Sequence, residues 1–267
     1  MALLGLGEAG AAIAADLVEA GVDVRGFDPD PARVVAGVRA AATVGEAARG
    51  ADAVLSVNAG AIALRVAADV VGDLEADQLY ADLNTASPAT KAAVAQVVSA
   101  AGAAFADVAL LAPVPGNGMR TPALASGSGA EQFAGLFGSL GMPVRVVGSE
   151  PGQAAQRKLL RSVFMKGLAA AIVESLAAAE AAGCEAWLRE EIVAVLENAD
   201  EALLDRLVRG SRLHAKRRVD EMRAAAELLR GLGVEPHVAE AAAALLAELI
   251  ADQAPSGSPA SHAVPRA

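Results

Sequence analysis

Along residues 1–148, short apolar runs alternate with longer Ala-rich stretches whose apolar positions recur at helical spacing. The short runs, at 2–5, 22–27, 39–43, 53–58, 79–84, 104–111, 122–127 and 143–147, predict strands. The stretches at 8–20, 31–37, 45–50, 60–74, 88–101 and 130–140 predict helices. Strand–helix alternation of this kind calls for a parallel sheet covered by helices on both faces. Near residue 149 the strand pattern stops. Residues 152–182 read as one long helix closed by Gly183 as its C-cap, and further helices follow at 185–197, 199–208, about 213–232 and 236–252. The chain is therefore expected to be α/β, with a doubly wound domain over 1–149 and an all-helical domain over 150–252. The Pro-, Ser- and Ala-rich segment 253–267 is expected to be a disordered tail.

The first strand runs into Gly5-Leu6-Gly7-Glu8-Ala9-Gly10. A GxGxxG spacing alone is weak, but here a strand precedes it, a helix follows it, and the second strand ends in Asp28, close to the ~20-residue interval of the Rossmann dinucleotide fingerprint. In that arrangement Gly5 permits the tight turn, Gly7 lets the backbone approach a pyrophosphate and Gly10 lets helix and strand pack closely. The unpaired N–H groups of the first helical turn then face the phosphates. Asp28 would accept hydrogen bonds from the adenosine ribose. A carboxylate there repels a 2′-phosphate and favours NAD over NADP, although Arg25 and Arg33 lie near enough in sequence to grip such a phosphate instead. Ligands in open α/β sheets lie beyond the carboxyl ends of the strands. Asn58 and Asn84, ending the fourth and fifth strands, are accordingly further cofactor candidates, with Thr85 beside Asn84; loop capping would account for the same residues.

Composition narrows the partners. A net charge of −10 and the absence of a basic stripe argue against a nucleic acid. The single cysteine, Cys184, rules out an internal disulfide and makes a reducing cytoplasm the expected compartment. No basic leader segment opens the sequence and no uncharged apolar run of membrane-spanning length occurs, so neither secretion nor a membrane is expected. Aromatic residues are only 3% of the chain, so the core must be built from closely packed Ala, Val and Leu. A helical bundle this rich in Ala buries little area per side chain, and a homodimer would bury more.

The sequence has four lysines, Lys91, Lys158, Lys166 and Lys216. Lys158 lies on the long helix, with Ser162 one turn later on the same face and Arg161 beside it. A lysine where two domains meet can give a proton to, or take one from, a reacting oxygen or nitrogen. The same spacing also suits a surface lysine whose stem lies along an amphipathic helix. No grouping of His, Asp and Glu suggests a metal.

Taken together, GLGEAG, DLNTASP at 82–88, DVALLAPVPGNG at 107–118 and GQAAQRKLLRS at 152–162 resemble the β-hydroxyacid dehydrogenases, the family of 3-hydroxyisobutyrate and phosphogluconate dehydrogenases. The order and spacing match over about 165 residues. The nearest likeness is to a branch with a phosphogluconate-dehydrogenase-like C-terminal domain. The resemblance implies that Lys158 is the catalytic lysine. It also implies that substrate is held by the 84–88 turn, including Thr85 and Ser87, and by Pro115, Gly116 and Asn117 of the 113–118 loop; Arg161 and Ser162, next to Lys158 on the helix, are further substrate candidates. Family precedent would add His214 and Arg218 from the helical domain. Two departures stand out. Pro115-Gly116-Asn117 replaces the family's Ser-Gly-Gly, and Ser162 replaces its asparagine. The expected activity is NAD(P)-dependent hydride transfer to or from a small hydroxy-acid-like substrate. The alternatives are an imine reductase on the same scaffold and a dinucleotide sensor that has lost catalysis.

Overall fold

The computed structural model describes residues 1–252; the expected tail, 253–267, lies outside the described residues. The chain divides into two compact units at Val163/Phe164. In the first, β1 (Ala2–Leu4), α1 (Glu8–Glu19), β2 (Arg25–Phe27), β3 (Arg39–Ala40), α2 (Val44–Ala48), β4 (Ala53–Ser56), α3 (Ala63–Val70), β5 (Leu79–Asp82), α4 (Pro88–Ser99), β6 (Ala104–Leu110), β7 (Ala123–Ser126), α5 (Ala130–Ser139) and β8 (Val144–Gly148) follow in order. They build one sheet of order β3-β2-β1-β4-β5-β6-β7-β8. Every pairing is parallel except β6 with β7. No α-helix crosses over between those two strands, only a short 3-10 turn at Gly118–Arg120, so the chain returns antiparallel.

Successive strand residues point to opposite faces, and both faces are covered. Leu3, Leu55 and Leu79 pack with Ile13 and Leu17 of α1 and with Phe133 and Phe137 of α5. Leu4, Val54, Tyr80 and Phe105 pack with Ala47, Ala67 and Val94 on the other side. The doubly wound Rossmann architecture expected from the alternation is thus present.

The helix expected at 31–37 is absent. Asp28 Oδ1 accepts from the Asp30 amide, and Asp30 Oδ1 accepts from the Ala32 amide, each at 3.0 Å. These Asx turns, set between Pro29 and Pro31, satisfy amides locally and leave no first helical turn to propagate.

α6 (Gln153–Ala181) begins in the first unit and continues into the second, so the division falls inside this helix rather than at 149/150, where the strands stop. By length and composition α6 is long and apolar enough to cross a membrane, and most of it is exposed; its first turn is fixed to the sheet. Residues from Phe164 onward are all-helical: the rest of α6, α7 (Glu185–Glu197), α8 (Glu201–Leu213), α9 (Ala215–Gly231) and α10 (His237–Ala251). α6 ends as expected at Gly183, which has a φ of 73°, and the Cys184 amide bonds back to the Ala179 carbonyl. α9 and α10 form an antiparallel pair burying Ala226, Leu229, Ala239 and Leu246. The first turn of α10 has no cap of its own. Instead Glu174 of α6 accepts from the Val238 amide at 2.7 Å and the Ala239 amide at 2.9 Å.

Candidate active site

The turn from β1 into α1 is built for backbone approach. Gly5 has a φ of 104°, and a Cβ on it would lie 2.2 Å from the Val57 carbonyl oxygen; one on Gly10 would lie 2.0 Å from the Gly5 oxygen. Neither position tolerates a side chain. Gly7 stands at the N-cap of α1 with no side chain capping that turn, so the first-turn amides are open to an anionic ligand. Asp28 sits below the turn with a side chain only 6% exposed. Its Oδ2 accepts the Leu6 amide at 2.7 Å and lies 3.6 Å from Arg33 Nη1, while Arg33 Nε lies 3.5 Å from Asp30 Oδ2.

Gly5, Gly7, Glu8, Ala9, Gly10, Asp28 and Asn58 line one cleft of about 460 Å³, together with Pro29, Asp30, Arg33, Val57, Ala59 and Ile62. That volume is within the range of small-molecule sites. A second, apolar cleft shares Pro29, Asn58 and Ile62 and is walled by Phe27, Val44 and Val66. Leu6 does not line the cleft with its side chain, which is buried in the core; its amide serves to hold Asp28. The residues present fit a dinucleotide: glycines where a Cβ would fill the cradle, uncapped amides, and a carboxylate at the end of β2.

Beyond β4 and β5 lies a hydrogen-bonded layer. Ser56 Oγ accepts from the side-chain amides of Asn58 and Asn84, each at 3.0 Å, and Asn84 Oδ1 accepts from the Asn58 backbone. Asn84 is buried and packs closely with Thr85, Ala86, Lys91, Asp107, Ala155 and Lys158. It ties the strand ends together and borders the lysine, and it is not among the residues lining the glycine cleft.

Lys158 donates from Nζ to Thr85 Oγ1 at 2.8 Å. The turn that carries Thr85 is gripped from two sides. A Cβ on Gly60 would lie 2.0 Å from the Thr85 carbonyl oxygen, and one on Gly152 would lie 2.8 Å from the Pro88 oxygen. Ser87 caps α4, its Oγ accepting the Thr90 amide at 3.1 Å. Arg161 donates to the Leu111 carbonyl at 3.2 Å, and Ser162 is partly buried one turn beyond Lys158.

In the 113–118 loop, Asn117 turns its side-chain amide onto the Pro113 carbonyl at 2.8 Å, while Pro115 and Gly116 are exposed. The loop is tied to α1, because the Met119 amide donates to Asp16 Oδ2 at 2.7 Å. Pro115, Gly116 and Asn117 are not part of the close-packed group around Lys158. His214 and Arg218 belong to the helical unit. His214 is exposed at the junction of α8 and α9, and Arg218 donates to Ser211 Oγ at 2.7 Å.

Sequence reasoning missed a buried ionic cluster. Lys91 is 1% exposed; its Nζ donates to the Asp82 carbonyl at 2.7 Å and lies 3.3 Å from a carboxylate oxygen of both Asp82 and Asp107. These two oxygens make no aligned hydrogen bond, so the contacts are ion pairs. Burial pushes the Asp82 carboxyl above the usual range, and the Lys91 ammonium only partly offsets this. The signal was present in the spacing: Lys91, Val94, Ala95 and Val98 are the buried residues of α4, so a lysine sits in phase with an apolar stripe.

Comparison with known proteins agrees with this construction. Residues 1–127 match the NAD binding domain of 6-phosphogluconate dehydrogenase, and residues 179–249 match a domain of unknown function, DUF1932. The chain is 31% identical to a conserved hypothetical protein of Sinorhizobium meliloti, covering 96% of this chain and 90% of that one, with a TM-score of 0.62. It is 27% identical to a conserved protein of unknown function whose structure revealed similarity with 3-hydroxyacid dehydrogenases, covering 94% and 97%, with a TM-score of 0.61. A reductive aminase from Aspergillus terreus, 19% identical over 94% of this chain and 93% of its own, shares the fold at a TM-score of 0.80. An uncharacterised Methanothermus fervidus protein is 29% identical over 148 residues, 54% of this chain, and the match spans about half of that relative's length (55%). The chain belongs to the β-hydroxyacid dehydrogenase family of NAD(P)-dependent oxidoreductases, in the branch that joins a 6-phosphogluconate dehydrogenase-type NAD-binding domain to a C-terminal DUF1932 domain.

Proposed function

We propose that the protein catalyses hydride transfer to or from a small hydroxy-acid-like substrate, with Lys158 as the general acid and base. The observation that carries this reading is the Lys158–Thr85 hydrogen bond at the carboxyl ends of the strands. It puts a titratable amine beside Asn84, in the unit that also holds the glycine turn. A bound nicotinamide supplies or accepts the hydride. In the oxidative direction the neutral Lys158 amine takes the hydroxyl proton as the carbonyl forms; in the reductive direction the ammonium returns it. Thr85 orients the amine. Arg161, Ser162, Ser87, the 115–117 segment, His214 and Arg218 remain substrate-contact candidates on the strength of the family resemblance.

NAD is the favoured nucleotide. Arg33 is already opposed by Asp28 and Asp30, so a 2′-phosphate brought to it would meet two carboxylates. The functional form is a homodimer in this reading. Phe164, Val173, Trp187, Leu204 and Leu213 are all more than half exposed, and so much large apolar surface on one helical unit calls for a covering partner. A second copy supplies one.

The test is a panel of hydroxy acids, keto acids and imines assayed with NAD(H) and NADP(H), following reduced-nicotinamide absorbance, alongside direct nucleotide-binding titration and light scattering over a range of concentrations. Turnover on the acids, lost in Lys158→Ala, is expected. Turnover confined to imines would move the assignment to an imine reductase. Tight nucleotide binding with no turnover on any substrate would favour a sensor, and a concentration-independent monomer would remove the dimer.

A further inference from the structure

Three amides at the start of α6 are held by side chains of the sheet. Asp107 Oδ2, on β6, accepts from Gly152 at 3.1 Å and from Ala155 at 3.0 Å. Ser126 Oγ, on β7, accepts from Ala154 at 3.0 Å and donates to the same Asp107 oxygen at 3.2 Å. Asp107 and Ser126 are fully buried. On its other oxygen Asp107 faces the Lys91 ammonium. A buried carboxyl left without partners would be strongly destabilising, and here the Lys91 ammonium and the positive end of the helix both face it.

We infer that Asp107 is a positioning residue for Lys158, acting through the first turn of α6. Ala155 lies three residues before Lys158, hence on the same side of the helix. Both belong to the close-packed group that also contains Asp107, Lys91 and Thr85. Fixing the Ala155 amide to a rigid strand sets the rotation and height of the helix where the lysine leaves it. Gly152 makes the anchorage close: its φ of 94° and its contact with Pro88 let the helix start press on the turn that carries Thr85. Lysine and threonine are therefore held to one frame, the lysine through Asp107 and the threonine through Gly60 and Gly152.

The inference rests on Lys158 being the functional amine, but its test needs neither substrate nor cofactor. The pKa of Lys158 is measured by trace acetylation with acetic anhydride across a pH series, with mass-spectrometric readout, in a double-mutant cycle. In the wild type, Thr85→Val removes one acceptor of the ammonium and is expected to lower the Lys158 pKa by about half a unit or more. In an Asp107→Ala background, which leaves no acceptor for these amides, the same change is expected to do nothing, and Gly152 and Ala155 are expected to exchange their amide hydrogens at least about tenfold faster. Should Asp107→Ala fail to fold, Ser126→Ala serves as the second background, with a smaller Thr85→Val effect than in the wild type. A Thr85→Val effect of equal size in both backgrounds, or none in either, overturns the inference. Absence of turnover with the panel above would count against the proposed reaction only.

Discussion

The Lys158 ammonium rests on the hydroxyl of Thr85, a residue 73 positions earlier in the chain. Lys158 is not among the residues lining the glycine cleft, so its loss should fall on the chemistry rather than on nucleotide affinity. Lys158→Ala is expected to cut kcat/KM by about 10²- to 10⁴-fold, the usual worth of a positioned acid or base, while leaving the nucleotide Kd within about twofold. Lys158→Arg restores a donor to Thr85 but stays protonated, so it should not recover turnover. Recovery by arginine would mean that the site needs only the charge.

Gly60 presses on the same threonine from the opposite side. Its φ lies outside the left-handed region, so a side chain here meets a steric rather than a conformational obstacle, with the Thr85 carbonyl oxygen only 2.0 Å from the new Cβ. Gly60→Ala should cost about 1–3 kcal/mol of stability, as overpacking does, and should lower turnover through displacement of Thr85. Gly72→Ala, where nothing lies within 4 Å of the new carbon, is the control. Equal melting temperatures for the two variants would contradict the close approach.

Much of this was legible in the sequence, for local reasons. The glycine turn, the strand–helix alternation and Gly183 each leave a signature within a few residues, since turn geometry and helix capping are short-range. What was not legible depended on partners far away. The segment after Asp28 looked helical by composition but is organised by Asp28 and Asp30 side chains. Asn58 and Asn84 look equivalent in sequence, each just past a strand end, yet Asn58 lines the glycine cleft while Asn84 is buried beside Lys158, a difference set by side-chain bonds through Ser56. Asn117 sat in a loop read as substrate-binding, but its side chain closes that loop on itself. Asp82 and Asp107 each open one of the family-like stretches, and only tertiary structure brings them to Lys91.

Asp28 and Arg33 frame the choice between nucleotides. Asp28→Asn keeps an acceptor for the Leu6 amide but removes the charge opposing both Arg33 and a 2′-phosphate. The ratio of Kd values for NADH and NADPH should move toward NADPH by about tenfold, or ~1.4 kcal/mol, in fluorescence titrations. An unchanged ratio would place nucleotide discrimination elsewhere in the cleft.

In the helical unit, Glu174 caps α10 from outside with both carboxylate oxygens. Glu174→Ala strands two partly buried amides and should cost about 1–3 kcal/mol. Glu174→Gln, which retains one acceptor, should cost less. Urea unfolding followed by circular dichroism reads both, and the order alanine below glutamine below wild type is the outcome that supports the cap.

Asp82 gives the pH dependence its sign. Burial raises its folded-state pKa above the ordinary 3.8, so between these two values the folded chain binds a proton that the unfolded chain has released. The stability this confers is complete below the ordinary value and is lost as pH climbs through the raised one. Asp82→Asn cannot ionise and leaves Lys91 paired one-to-one with Asp107. Its stability relative to the wild type should therefore rise with pH from about 4 upward, by ~1.4 kcal/mol for each unit by which the two pKa values differ. Urea midpoints of both proteins measured from pH 4 to 8 decide the matter. A wild type that gains on the variant as pH rises would show that the Lys91 ammonium, not burial, dominates at Asp82.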